Sequence, residues 1–417
     1  MKLANENACF TYGFFDSGIP FTYRLVINMK DFVDGEILEV ALRKTERRYP
    51  YFSVRMRKSD SEYFYEPNSA PIVLLNTDEQ ITLNSAQTNY HIWAVCYKDN
   101  KIFIDFYHGM ADGGGSGSLL ATLLYYYCNI RYGVTDKNGI RTLEDEILPE
   151  ETIDPLDNLP RIDISLDDTE KAFSLLKDGG EIYNCSMNYE IILSENAFVK
   201  FTSANDSSPG TMILLLLNRA IDAHYPNRNK PIISTYDINC RPMLNSLYSY
   251  QNCIVFARFV YSDRFKKIPL TMQATIYRGI TFLASDEDNV IKNMTALAST
   301  IEDNLEKNPS LEDKKSVFGE MIRENFSNRT AAVSYVGKWR FTSLSKYIDS
   351  SFVHVAPHGS VMIEVTAING KICLSFLQDF SDEGLFKDFL AQMETHGIKY
   401  EVIRKTKPDM PKFLEPK

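Results

Sequence analysis

Between residues 107 and 115 the chain reads Tyr107-His108-Gly109-Met110-Ala111-Asp112-Gly113-Gly114-Gly115. An imidazole titrates near pH 6.5, so at neutral pH His108 is largely unprotonated and able to remove a proton. The glycines permit a tight turn and let the backbone approach a ligand closely. Asp112 lies four residues after the histidine. On residue types alone, one histidine and one aspartate at this spacing fit a structural loop better than a catalytic one.

The elements around the loop favour a held histidine. The alternating runs Tyr90 to Tyr97 and Lys101 to Tyr107 read as a hairpin turning at Lys98-Asp-Asn. In the second strand Ile102, Ile104 and Phe106 share one face, and Phe103, Asp105 and Tyr107 the other. Leu119, Leu120, Leu123, Leu124 and Tyr127 then follow at helical spacing, with Ser118 as N-cap and Gly133 as stop. His108 thus sits at a strand-to-helix turn, where a rigid element can fix it while its neighbours stay accessible.

Further elements flank this unit. Phe21 to Met29 is a strand, Leu38 to Leu42 lies in a helix, and Tyr51 to Met56 is a strand again. From Thr135 to Asp168 acidic residues with Pro149, Pro155 and Pro160 break any periodicity, which predicts a linker over the surface whose acids are solvated. Strands then follow at Met187 to Leu193, Ile232 to Asp237 and Ile254 to Tyr261, with a buried helix over Gly210 to His224. Spacing predicts one long helix from Ala284 to Leu305. Strands near Ala332 to Tyr335, Phe352 to Val355, Val361 to Ala367 and Ile372 to Leu377 lead to a helix over Asp382 to His396. Mixed strands and helices in both halves predict two layered α/β domains, residues 1–165 (with the 135–168 linker) and 170–417, meeting at a cleft.

Composition excludes several functions. The 417 residues carry 45 Lys+Arg against 55 Asp+Glu, a net charge of −10, which argues against nucleic-acid binding and docking on anionic membranes. Hydrophobic residues at 44% and charged residues at 24% are those of a globular chain. The seven cysteines (Cys9, Cys96, Cys128, Cys185, Cys240, Cys253, Cys373) lie far apart with no C-x-x-C pair, so neither a disulfide framework nor a zinc site is expected. The apolar run Met212 to Leu217 is far short of the ~20 residues of a membrane span, and the polar N-terminus is no signal peptide. The expected location is cytoplasmic.

Other groupings read as structural. The glycines after Asp112 lack the Gly-Lys-Ser/Thr ending of a phosphate-binding loop. His354 and His358 are four apart, but Pro357 and Gly359 prevent the helix that would pair them on a metal. Tyr125-Tyr126-Tyr127 reads as helix packing. Asp105 either neighbours the site or is a satisfied strand carboxylate.

The segment His-x-x-x-Asp-Gly at a strand end resembles the signature of the chloramphenicol-acetyltransferase-like acyltransferases, which include condensation domains and stand-alone bacterial alcohol acetyltransferases. Asp34 to Tyr51, with Arg47-Arg48-Tyr49-Pro50, is similar to the family's first helix and second strand. Asp237-Ile-Asn-Cys-Arg241-Pro242 followed by Asn252 is similar to its passage in the C-terminal half, and Ser334-Tyr-Val-Gly337-Lys338 to the segment closing the tunnel. Tyr107 stands where many condensation domains have a first histidine, and the plant-type Asp-Phe-Gly-Trp-Gly is absent.

The resemblance implies two subdomains with mixed sheets and an active-site tunnel at their interface. It makes His108 the general base and Asp112 a loop-shaping carboxylate paired with Arg241, Arg24 being the alternative partner. Tyr107, Gly113, Asn252 and Ser334 become substrate-binding positions. The implied reaction moves an acyl group from an acyl-thioester, acyl-CoA first, to a small alcohol or amine. CoA is then a co-substrate, without metal or prosthetic group. The alternatives are a condensation-type enzyme fed by a carrier protein and a non-catalytic binding protein that keeps the fold.

Overall fold

The computed structural model describes residues 3, 5–18, 21–162, 170–176, 187–339, 341–357, 360–407 and 410–416. Cys185, His358, Gly359 and the end of the predicted linker at Asp168 lie outside them.

Helix α1 (Asn5–Ser17) precedes strand β1 (Thr22–Met29) and helix α2 (Gly35–Arg48). The hairpin β2 (Val54–Lys58) and β3 (Tyr63–Pro67) is followed by short strands β4 (Leu74–Asn76) and β5 (Thr82–Leu83). The hairpin β6 (Trp93–Lys98) and β7 (Lys101–Tyr107) then leads into α3 (Gly113–Tyr132). Past the linker come β8 (Met187–Ser194), α4 (Glu195–Ala204), α5 (Pro209–His224), β9 (Ile232–Asn239) and β10 (Ile254–Tyr261). Three helices follow, α6 (Leu270–Ala284), α7 (Glu287–Lys307) and α8 (Leu311–Ser327). The chain ends with β11 (Ala331–Lys338), β12 (Ile348–Val355), β13 (Val361–Ile368), β14 (Lys371–Gln378), α9 (Gly384–Thr395), β15 (Tyr400–Thr406) and β16 (Lys412–Phe413).

Two mixed sheets organise these elements. One has the order β12-β1-β7-β6-β4, the other β10-β9-β11-β13-β14-β8-β15. The apolar run Met212 to Leu217 forms the middle of α5 and is wholly buried in the core on the larger sheet. Helices α2 and α3 pack together beside the smaller sheet, α2 burying Leu38, Ala41 and Leu42. Asp34 caps α2 by accepting from the N–H of Glu36 and Ile37, and Arg47 and Arg48 sit in the last turn, where cations suit the helix dipole.

Strand β12 comes from the C-terminal half yet pairs with β1 from Tyr23↔Val355 to Met29↔Ile348, closing the edge of the smaller sheet. Polar contacts then join it to the larger sheet. His354 Nε2 lies 3.0 Å from Glu190 Oε1 on β8, and Ser351 Oγ donates to Thr366 Oγ1 at 2.9 Å on β13. Helix α8 likewise packs along α1.

Several expectations need correction. The N-cap of α3 is Asp112, whose Oδ1 accepts from Gly115 N–H at 2.8 Å; Gly113, Gly114 and Gly115 open the first helical turn, so Ser118 lies inside the helix. Gly133, at φ 71°, does end it. The predicted helix from Ala284 to Leu305 is α7, which starts three residues later at Glu287 behind the Asp286 cap, and helix α6 before it was not expected. The linker acids are not all solvated. Glu151 is 2% exposed and accepts from Arg48 (2.7 and 3.0 Å), Arg141 (2.7 Å) and Tyr51 (2.7 Å), which pins the strap to α2. Asp154 is buried too. Among the described residues no helix is long and apolar enough to cross a membrane.

Candidate active site

The strand β7 ends on its pairing with β1, Thr22↔Tyr107, and His108 N–H continues it by donating to Phe21 C=O at 3.0 Å. The turn beyond is tied down from two sides. Asn252 Nδ2 donates to His108 C=O at 2.9 Å, and Asn7 Nδ2 of α1 donates to Met110 C=O at 3.0 Å. Asn252 also donates to Asn7 Oδ1, so the two amides form one clamp.

The imidazole stacks on Phe21 (centroids 4.5 Å, 14° between planes) and meets Tyr23 edge-on at 5.0 Å. Its Nδ1 is buried without a partner of hydrogen-bond geometry, and the residue lines the cavity described below. Burial pushes the His108 pKa below the usual histidine value, against the opposing pull of its own carbonyl, Asp112 and Asn252. The ring is therefore neutral at pH 7.

Asp112 is oriented away from chemistry. Arg241 Nη2 donates to Oδ1 at 2.6 Å, Gly115 N–H to the same oxygen at 2.8 Å, and Cys253 N–H to Oδ2 at 3.1 Å. Burial raises its pKa, but Arg241 and these donors outweigh it and hold the carboxyl below the usual range. Arg241 is fixed in turn by Ser249 C=O (2.8 Å), Gln251 C=O and Asn239 Oδ1 (3.1 Å). Arg24 is not the partner: it binds Asp105 bidentately at 2.6 and 2.8 Å, and both are fully buried. Asp105 is thus a satisfied strand carboxylate.

His108, Asp112, Gly113, Arg241 and Ser334 all line one cavity of about 1150 Å³ of empty space, its opening to solvent included. It lies where the sheets face each other: β1, α1 and the histidine turn form one side, and β9, β11 and β13 the other, with Phe10, Phe14 and Val353 among its apolar walls. At Gly113 a Cβ would meet Val336 at 3.3 Å, so a side chain there would narrow the passage between the turn and β11. Gly337, at φ 103°, sits in a bulge of the β11–β13 ladder directly after Val336.

Two expected substrate-binding residues do not line the cavity. Tyr107 alternates to the far face of β7, where its hydroxyl donates to Thr11 Oγ1 at 3.0 Å and its ring stacks on Phe413. Asn252 is 1% exposed and stands behind the histidine, holding its carbonyl. Asn7 was missed because no pattern around it marks a tether, and Asp237 and Glu364, which also line the cavity, because only strand register brings them there.

No protein-family model matches the chain, and no curated protein does. Solved structures do. TRI101 of F. sporotrichioides, solved with coenzyme A and T-2, is 11% identical over 92% of this chain and 96% of its own, with a TM-score of 0.61. Polyketide synthase associated protein 5 of Mycobacterium tuberculosis gives 11% identity over 94% and 96%, with a TM-score of 0.61. The condensation domain of the monacolin K polyketide synthase MokA gives 10% over 93% and 95%, with a TM-score of 0.57. The chain therefore has the two-subdomain, mixed α/β fold of chloramphenicol-acetyltransferase-like and condensation-domain proteins.

Proposed function

We propose that the protein is an acyltransferase of the alcohol-acetyltransferase kind, moving an acyl group from acyl-CoA to a small alcohol or amine. The observation that carries this reading is a neutral histidine, tethered at its carbonyl and stacked on Phe21, on the wall of a cavity between two sheets. His108 takes the acceptor's proton as its oxygen or nitrogen attacks the thioester carbonyl. Gly113 and Gly114 line the same cavity, and their N–H groups, in the first turn of α3 ahead of the capped Gly115, have no acceptor within the helix, so they are the donors suited to the tetrahedral oxyanion. The thiolate then leaves as CoA, without a covalent enzyme intermediate. Asp112 and Arg241 hold the turn. The proposed subdomains are 1–165 and 170–417, with β12 and α8 of the second completing the packing of the first.

The test is thiol release from short, medium and long acyl-CoAs with mixed alcohols and amines. Free acyl-CoA is expected to turn over without a carrier protein. His108→Ala should remain folded and lose roughly 10²–10⁴-fold in rate. Because burial lowers the histidine pKa, the base stays available to lower pH, and the acid limb of the rate profile should fall below the ordinary value of about 6.5. Wild-type rates in folded His108→Ala would remove the base assignment, and turnover of carrier-bound thioesters alone would favour a condensation-type enzyme.

A further inference from the structure

On the larger-sheet side of the cavity three hydrogen-bonded strands set Asp237 (β9), Ser334 (β11) and Glu364 (β13) in one row. Ser334 lies opposite Asp237 in one ladder and opposite Glu364 in the next, and all three line the cavity. Neighbouring strands are ~4.8 Å apart, so the two carboxyls rise on either side of the serine, within reach of one small group placed above it. Glu364 is only 4% exposed, and Asp237 Oδ1 is enclosed without a hydrogen-bond partner.

The charges in this row do not balance. Ser334 is the hydrogen-bonding neighbour of both acids but has one proton to donate, and Arg329 provides the cation that faces Asp237. The guanidinium of Arg241 is committed to Asp112, whose own charge further repels Asp237. Burial lifts Asp237 to about 6, opposed by Arg329 and Ser334, and burial with the charge of Asp237 lifts Glu364 well above the usual carboxylate range. Arg329 faces Asp237 alone, so Glu364, the more deeply buried of the two, has no cation of its own, and Asp237 Oδ1 has no N–H donor; a ligand can supply both.

Resting on the acyltransferase reading, we propose that the acceptor is an amino alcohol or diamine whose protonated amine sits over Ser334 between Asp237 and Glu364. Its nucleophilic hydroxyl or second, neutral amine points to His108, and its hydrocarbon spacer runs along the apolar walls. The ammonium donates to the enclosed Oδ1 of Asp237 and to Glu364, stabilising both as carboxylates.

The test is isothermal titration of the full chain with 3-aminopropan-1-ol to 6-aminohexan-1-ol and with the diols of matching length. At least one amino alcohol should bind about ten-fold tighter than its diol, a difference of about 1.4 kcal/mol. Asp237→Asn and Glu364→Gln, checked for folding by circular dichroism, should each erase that preference. No preference for the amine in the wild type, including no binding of either series, overturns the proposal without recourse to variants. A preference retained in both folded variants also overturns it. Thiol release with diols but no amine preference would remove this inference alone, whereas amine binding without any thioester turnover would remove the acyltransferase reading and leave the amine site.

Discussion

With Arg241 and Gly115 donating to one oxygen of Asp112 and Cys253 to the other, the carboxylate joins the histidine turn to the chain after β9. Removing one partner of such a buried pair leaves the other charge uncompensated, which costs about 3–5 kcal/mol. Asp112→Ala should therefore lower the melting temperature sharply and reduce activity with it. A variant of unchanged stability with a purely kinetic defect would make Asp112 a participant in chemistry. At this scale much was legible. His108, Asp112 and Arg241 belong to short stretches whose residue types carry a resemblance. Asn7 and Glu364 do not, because a tether to a carbonyl or a place in a three-strand row leaves no trace in the flanking residues.

Helix α3 shows how an element is placed by its glycines. A Cβ at Gly115 would stand 2.0 Å from the backbone oxygen of Tyr250, whereas one at Gly117 would make ordinary contact with Trp339 at 3.5 Å. Gly115→Ala should thus destabilise by at least the roughly 1–3 kcal/mol of an overpacked core, while Gly117→Ala should be neutral or slightly stabilising through helix propensity. Equal melting temperatures for the two variants would contradict this close approach. Among elements, the hairpin β6–β7 and the helices α3 and α5 were readable from period and flanking turns. Helix α1 was not, since Ala8, Cys9, Tyr12 and Phe14 are buried while Phe10 and Phe15 pack on the same core, leaving no clear apolar stripe. Helix α6 was not read, because it buries Gln273, Ala274 and Tyr277 while Met272, Ile276, Phe282 and Leu283 are exposed, so its apolar residues mark no single face.

For the whole molecule, composition and element order were enough for a layered α/β fold, but not for which sheet each strand joins. Pairing partners decide that, and β12 joins β1 across most of the chain's length. A fragment of residues 1–165 would expose the β1 edge and the face of α1 that packs on α8. It should be expressed in an incompletely folded state, with weak far-ultraviolet dichroism and no cooperative melt, and adding the 170–417 fragment should restore structure. A cooperative melt for 1–165 alone would show that β12 is dispensable.

The crossing from β12 to β13 also bears on how substrates enter. Consecutive strands belong to facing sheets, one bound to β1 and the other to β11 and β14, with His354–Glu190 and Ser351–Thr366 bridging beside them. The two lobes are in effect stitched at one margin of the cleft. Any relative movement of the lobes must carry the β12–β1 ladder with the first and pivot on the covalent crossing to β13, so at this margin loading and release are limited to side-chain rotation and small shear.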